Sequence, residues 1–269
     1  MFLTPFSSLT WAYQLHYYFA FRTHRRRHYF ATNSDALAYT LSEICQRHDY
    51  HLLEEQIYPD QLRCVLSLRP EQAVAPVVQT IKANSGRVAA NKPVWARGYL
   101  AQSIGRMQID AVRQYLEAQA SHHGYAGRLL PPVFGYRAET PVPLTTAHSR
   151  FELNYHLVFA TWERTGVFSS ELGKALVTYW LKVAAKRGFA IDQVSIVPDH
   201  VHLLVRLVPQ LSIEACGLAL LNNAQHFIGQ RFPEALIQAK AQQLWQPSAY
   251  AGTCGELTTA LIKSWLAQS

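Results

Sequence analysis

Ile196-Val197-Pro198-Asp199-His200-Val201-His202-Leu203-Leu204-Val205 reads as a strand, apolar, rich in β-branched residues and carrying a Pro-Asp turn signal. Side chains alternate faces along a strand, so His200 and His202 project to one side and Val201 to the other. Two imidazoles about 7 Å apart on one rigid strand suit a divalent metal, with a third ligand to come from elsewhere. Taken alone, the pair also fits two half-buried histidines on a sheet face. The rest of the chain has to decide between these readings.

Working outward, the 269 residues are enough for one large domain or two of ordinary size, and 49% hydrophobic against 16% charged residues marks a globular chain. The net charge of +7 favours polyanionic partners, nucleic acid first. It is concentrated early: Arg22, Arg25, Arg26 and Arg27 all precede the first acidic residue, Asp35. That basic loop could grip a phosphate backbone, with Lys82 and Arg87 adding charge further on, while Tyr17, Tyr18, Phe21 and Tyr29 could stack on bases or serve as core. Cys45, Cys64, Cys216 and Cys254 are scattered without a CxxC pair, so a reducing, cytoplasmic setting is expected. The aromatic N-terminus lacks a basic leader and is interrupted by Pro5, Gln14 and His16, so neither a signal peptide nor a membrane span is expected.

The order of landmarks repeats. A strand over Tyr13–Phe21 and a helix over Ser34–His48 lead to strands at His51–Gln56 and Gln61–Leu68, a helix over Pro70–Ala90, and an amphipathic helix near Met107–Ala120. After residue 150, His156-Leu157-Val158-Phe159-Ala160 echoes His16-Tyr17-Tyr18-Phe19-Ala20. Ser170–Arg187 echoes the first helix, Pro198-Asp199 echoes Pro59-Asp60, and Trp245 echoes Trp95. The reading is a tandem duplication: a first unit over residues 1–120, a Pro/Gly-rich spacer over 121–150, and a second unit over 151–269. The alternation of elements suits an α+β class, each unit an antiparallel sheet with helices on one face, of ferredoxin-like type.

The second unit resembles the single-tyrosine HUH transposases of bacterial insertion sequences and their REP-associated relatives. The resemblance rests on Tyr155-His156-Leu157-Val158-Phe159, on Val197-Pro198-Asp199-His200-Val201-His202-Leu203-Leu204-Val205, and on Leu244-Trp245-Gln246-Pro247-Ser248 followed by Gly252-Thr253. The first unit resembles the same family in Trp95-Ala96-Arg97-Gly98-Tyr99 and Val112-Arg113-Gln114-Tyr115-Leu116-Glu117-Ala118-Gln119. The resemblance implies a metal-dependent enzyme that nicks and transfers single-stranded DNA, including hairpin-forming strands, through a 5′-phosphotyrosine intermediate. It further implies a nucleophilic tyrosine on the last helix, a metal held by two histidines and a glutamine one turn past the tyrosine, and dimers in which helices serve the partner's histidines.

The two units keep opposite halves of that machinery. The first has Gln61-Leu62-Arg63 where the histidines belong but carries Tyr115 and Gln119; the second has His200 and His202 but Trp265 at the tyrosine position. Setting the first unit's last helix on the second unit's strand would complete one site, with Tyr115 as nucleophile and His200, His202 and Gln119 around Mg²⁺ or Mn²⁺. The expectation is therefore an intramolecular pseudo-dimer with one composite site; two DNA ends would then be processed by pairing with a second copy of the chain, by sequential action, or not at all if cleavage has narrowed to a single end. The alternative is a non-catalytic nucleic-acid-binding protein on the same scaffold.

Overall fold

The computed structural model describes residues 4–89, 94–105, 108–117, 132–239 and 243–256. In the first half the chain runs β1 (Thr10–Gln14), β2 (His16–Arg22), α1 (Ser34–His48), β3 (His51–Tyr58), β4 (Gln61–Ser67), α2 (Val74–Ser85), β5 (Tyr99–Ile104) and α3 (Ile109–Glu117). After β6 (Phe134–Arg137), the second half runs β7 (Ser149–Glu152), β8 (Asn154–Thr161), α4 (Ser170–Arg187), β9 (Ala190–Val197), β10 (His200–Arg206), α5 (Ile213–Arg231), α6 (Pro233–Ala239) and β11 (Trp245–Cys254). The class is α+β, with a five-stranded sheet in the order β3-β4-β2-β5-β7 and a six-stranded sheet in the order β1-β11-β8-β10-β9-β6. Antiparallel pairs dominate, and the parallel ones are β1 with β11 and β7 with β5. Among the described residues no helix is long and apolar enough to cross a membrane.

The helices form where apolar spacing and caps agree. Leu37, Leu41, Ile44 and Cys45 line the buried side of α1, and the chain leaves it through a left-handed Asp49 at φ 58°. The corresponding exit of α4 uses Gly188 at φ 76°, where a glycine meets no steric cost. Ser169 and Ser212 cap α4 and α5 by accepting from the Leu172 and Ala215 N–H groups, both at 3.2 Å. Strand alternation fills the core from one face of each sheet: Tyr17, Phe19 and Phe21 on β2, and Tyr155, Leu157 and Phe159 on β8, are at most 2% exposed.

Three features differ from the sequence reading. First, Tyr13–Phe21 is not one strand. The chain breaks at Leu15, so β1 joins β11 while β2 sits in the other sheet. Second, Ile196–Val205 is not one strand: Pro198-Asp199 turns β9 into β10, so Ile196 and Val197 end the first strand and His200 opens the second. Third, cross-strand register matches Tyr18 with His156 and His16 with Asn154, a two-residue displacement from the echo read in the sequence. Apolar alternation looks alike after a shift of two, which is why the text alone misaligned it. The stretch read as a spacer supplies β6, paired antiparallel with β9.

Each half sends its leading strand to the other half's sheet. Thr10–Gln14 run along Ser248–Gly252, and Ser149–Glu152 run along Tyr99–Gln102. The exchange is locked by two hydroxyls in matching places. Thr253 Oγ1 accepts from the His16 N–H at 3.0 Å and donates to the Ile104 carbonyl at 2.6 Å. Ser103 Oγ accepts from the Asn154 N–H at 2.9 Å and donates to the Cys254 carbonyl at 2.6 Å. The chains pass so closely that a Cβ on Gly105 would collide with the Thr253 carbonyl.

Removing either hydroxyl leaves a buried N–H and carbonyl without their partner. Ser103→Ala and Thr253→Val are each expected to cost about 1–3 kcal/mol. Urea denaturation checks this; midpoints at the wild-type value would contradict the interlock.

Candidate functional site

The second half's strand β10 presents His200 and His202 on the sheet face away from α4 and α5, and both are buried, at 6% and 5% exposure. Their rings meet edge to face with centroids 4.9 Å apart, closer than backbone spacing alone suggests. Asp199, at the hairpin turn, places Oδ1 2.6 Å from His200 Nδ1, where the carboxylate accepts from the Nδ1–H tautomer, and Arg164 Nη2 lies 3.1 Å from the same nitrogen. Arg164 braces the carboxylate from the other side, its Nε 2.8 Å from Oδ2. A carboxylate on Nδ1 fixes the tautomer and directs Nε2 outward, which is how metal-bound histidines are oriented.

His156 completes the cluster, a site residue that the strand pattern around His200 and His202 does not reveal. It lies on β8 with its Nε2 3.0 Å from His202 Nδ1, and the two rings stack at 5.2 Å. Burial pulls its pKa down to about 4, so it is a neutral imidazole near pH 7 and able to accept the His202 proton. The signal was available: on a strand, His156, Val158 and Ala160 share a face, and β8 is the neighbour of β10.

From the first half comes α3. Its Val112 and Leu116 pack on Leu204 and Cys254, with Ile109 and Tyr115 at the edge of the same cluster. Gln193 on β9 donates to the Arg113 carbonyl at 3.2 Å, and Arg137 on β6 pairs with Glu117, so both neighbouring strands hold the helix. The Tyr115 ring then stands edge-on to His202 at 5.7 Å and to His156 at 6.2 Å. Tyr115, His200 and His202 are thus brought together from opposite halves of the chain. Gln119 and Trp265 lie outside the described residues.

The expected DNA-binding residues divide. Arg25, Arg26 and Arg27 are exposed around a one-turn 3-10 segment, with Arg25 and Arg26 in left-handed conformation at φ 55° and 52°. Arg87 is exposed after α2. Arg22 is not a loop residue; it ends β2 and is 9% exposed. Lys82 departs from expectation altogether. Its ammonium donates to the Ala96, Arg97 and Gly98 carbonyls at 2.9, 3.0 and 2.7 Å, and burial pulls its pKa down to about 8. Three hydrogens meeting three carbonyls leave nothing for a phosphate. Tyr17, Tyr18 and Phe21 are likewise core rather than stacking surface.

As to metal, among the described residues no group of three or more His, Cys, Asp or Glu is placed to hold an ion. The donors present are the two strand histidines, and the Asp199–His200 pair is the observation that makes them chemically suited to a divalent cation. All four cysteines are free and buried, and burial raises every one of their pKa values, so no thiolate competes for that role.

Comparison with known proteins bears on the whole chain. The family model described as "Transposase IS200 like" matches twice, over residues 11–119 and 149–269. The ISDra2 transposase TnpA of Deinococcus radiodurans is 28% identical over 116 residues, which is 43% of this chain and 83% of the relative. The transposase of insertion sequence element IS200 from Salmonella typhimurium is 24% identical over 120 residues, 45% of this chain and 78% of the relative. A candidate transposase from Deinococcus radiodurans, solved by crystallography, matches 45% of this chain and 94% of its own at 28% identity, with a TM-score of 0.39.

The Lys82 geometry yields a separable outcome. Lys82→Met is expected to lower stability by about 1–3 kcal/mol through three orphaned carbonyls, while affinity for DNA stays within twofold. A DNA-binding loss larger than the stability loss explains would restore the phosphate role.

Proposed function

This chain belongs to the IS200-like transposase family, and from that premise we propose that it nicks and rejoins single-stranded DNA at one composite site shared by its two halves. The halves are read as two ferredoxin-like units, residues 1–120 and 151–269, joined by residues 121–150 into an intramolecular pseudo-dimer. The observation that carries the reading is the seating of α3: Tyr115, from the first half, stands 5.7 Å from the His202 ring of the second.

The chemistry assigned to Tyr115 is nucleophilic. Its Oη forms a bond to a DNA phosphorus while the bond from phosphorus to the 3′-oxygen breaks; the phenol gives up its proton and the departing 3′-oxygen gains one. The product is a 5′-phosphotyrosine and a free 3′-hydroxyl, and reversal of the same step rejoins strands. A phenol is a modest nucleophile at neutral pH, so placement in line with the leaving oxygen has to contribute heavily. The apolar contacts of Val112 and Leu116 provide that placement by fixing the rotation of α3.

His200 and His202 are the residues that would hold Mg²⁺ or Mn²⁺ through Nε2, with Gln119 as a further oxygen ligand. When bound, such an ion polarises the scissile phosphate. Asp199 keeps His200 in the tautomer that frees Nε2 for this, and His156 does the same for His202. The exposed Arg25, Arg26 and Arg27 are positioned to meet the backbone of the strand. The alternative is a nucleic-acid-binding protein on the same scaffold without catalysis.

The readings separate on a denaturing gel. With a labelled single strand bearing the cleavable sequence, the wild type is expected to form a covalent protein–DNA adduct that Tyr115→Phe eliminates. An adduct surviving that substitution would sink the composite site. Chelation with EDTA should suppress the adduct more than a hundredfold and added Mg²⁺ or Mn²⁺ should restore it; binding without any adduct under all these conditions selects the non-catalytic alternative.

A further inference from the structure

The first half's counterpart of the histidine site has not simply emptied. Register identifies it closely. Gln61 faces Arg22 across β4 and β2 as His200 faces Ala160 across β10 and β8, and Arg63 faces Ala20 as His202 faces Val158. The adjoining turns coincide as well. The Thr23 N–H donates to the Asp60 carbonyl at 2.9 Å, and the Thr161 N–H to the Asp199 carbonyl at 3.0 Å. Thr23 and Thr161 each donate through Oγ1 to a carbonyl four residues on, both at 2.7 Å. Left-handed backbone follows at Arg25 and Arg26 and again at Glu163 and Arg164, so Arg26 stands where Arg164 stands.

Mapped this way, both histidines and one alanine of the second half have become Gln61, Arg63 and Arg22, beside an Arg26 that matches Arg164. Guanidinium groups cannot ligate a metal cation, but they are suited to bind a phosphate in two-pronged fashion. Gln61 is 6% exposed; its Oε1 accepts from Arg63 Nη2 at 3.3 Å, while its Nε2 has no hydrogen-bond acceptor among the described residues. A buried amide donor with no acceptor is costly to maintain unless something outside the fold supplies one. Burial, with the nearby Arg26 guanidinium, pushes the Arg22 pKa below its usual range, and Asp60 opposes that effect.

Space accompanies the charge. Arg22 and Arg150 line an open cleft of about 450 Å³ with Gly98, Tyr99, Thr146 and His148, large enough for a nucleotide. On the other side of Arg22, the Arg63 guanidinium lies 4.7 Å above the ring of Tyr58, itself 39% exposed. The facing carboxylates are Asp60 at the turn and, across a separate cleft on the outer side of Arg63, Glu54 and Glu55. An exposed aromatic beside a row of guanidiniums is the composition of a single-strand binding groove.

We propose that this converted site binds the phosphodiester backbone of single-stranded DNA without cutting it, with Arg22, Arg63 and the Gln61 amide as phosphate donors. The asymmetry of the chain then has a purpose: one site cuts, and its counterpart anchors. The inference rests on the reading of single-stranded DNA as substrate, and does not require that Tyr115 be the nucleophile.

The test uses the full chain carrying Tyr115→Phe, so that binding is measured apart from cleavage, and a fluorescent mixed-sequence single strand followed by anisotropy across a salt series. Arg22→Ala with Arg63→Gln is expected to weaken binding about tenfold or more, and to flatten the dependence of log affinity on log salt by about 1 to 1.5 units for two lost phosphate contacts. Arg47→Gln, on the exposed side of α1, removes a charge elsewhere and should leave the slope unchanged. An unaltered slope and affinity in a double variant that melts like its parent would overturn the anchor. So would an equal change in Arg47→Gln, which marks a general charge effect. Should the double variant fail to fold, Arg63→Gln alone carries the test, with half the change in slope expected. An adduct surviving Tyr115→Phe would refute the composite cutting site while leaving these slopes, and the anchor, standing.

Discussion

The exchange of leading strands between the two sheets is the constraint on which the rest depends. Because Thr10–Gln14 completes the second half's sheet and Ser149–Glu152 the first half's, neither sheet is whole without the other. The crossing is tight. Ser103 and Thr253 each tie a backbone N–H of one half to a carbonyl at the same seam, and Gly105 leaves no room for a side chain. Buried hydroxyls with both functions satisfied are directional, so they define the relative placement of the halves more narrowly than apolar contact would.

That placement governs where α3 goes. It follows β5, which is held at the seam, and the nearest apolar surface it meets belongs to the second half: Leu204 and Cys254. Burying Val112 and Leu116 there turns Tyr115 toward His156 and His202. A helix supplied by one half and a histidine strand supplied by the other need not be maintained twice. Loss of the first half's histidines and of the second half's tyrosine is then tolerable, whereas loss of both histidines and tyrosine from the same half would have left no site of this shared kind.

Electrostatics separates the two sheet faces that result. The second half's face carries imidazoles kept in chosen tautomers by Asp199 and His156, a surface fit for a cation. The first half's face carries Arg22 and Arg63 at the matching register positions, with Asp60 at the turn and Glu54 and Glu55 only on the outer side of Arg63, a surface we read as fit for an anion. One fold with three differing strand positions, Gln61, Arg63 and Arg22 against His200, His202 and Ala160, thus offers complementary preferences in its two halves.

Much of this was legible in the amino acids. Periodicity located α1 at Ser34–His48 and α4 at Ser170–Arg187, and strand alternation put His200 and His202 on one face, because these are consequences of local geometry. The duplication, the Gln61 and Arg63 in place of histidines and the Trp265 in place of a tyrosine were equally open to inspection, and the proposed pairing of one half's helix with the other half's histidines starts from them. What the amino acids left open depended on neighbours distant in sequence. Nothing local distinguishes Lys82, bound to three carbonyls, from a lysine facing DNA, nor tells that Tyr18 rather than His16 occupies the place of His156, since a strand pattern survives displacement by two. The role of His156 required knowing that β8 lies beside β10, and the break at Leu15 that sends β1 to the far sheet required both sheets at once. Side-chain type and spacing determined which chemistry the chain could offer; only the packing of strands from the two halves decided which of those groups meet.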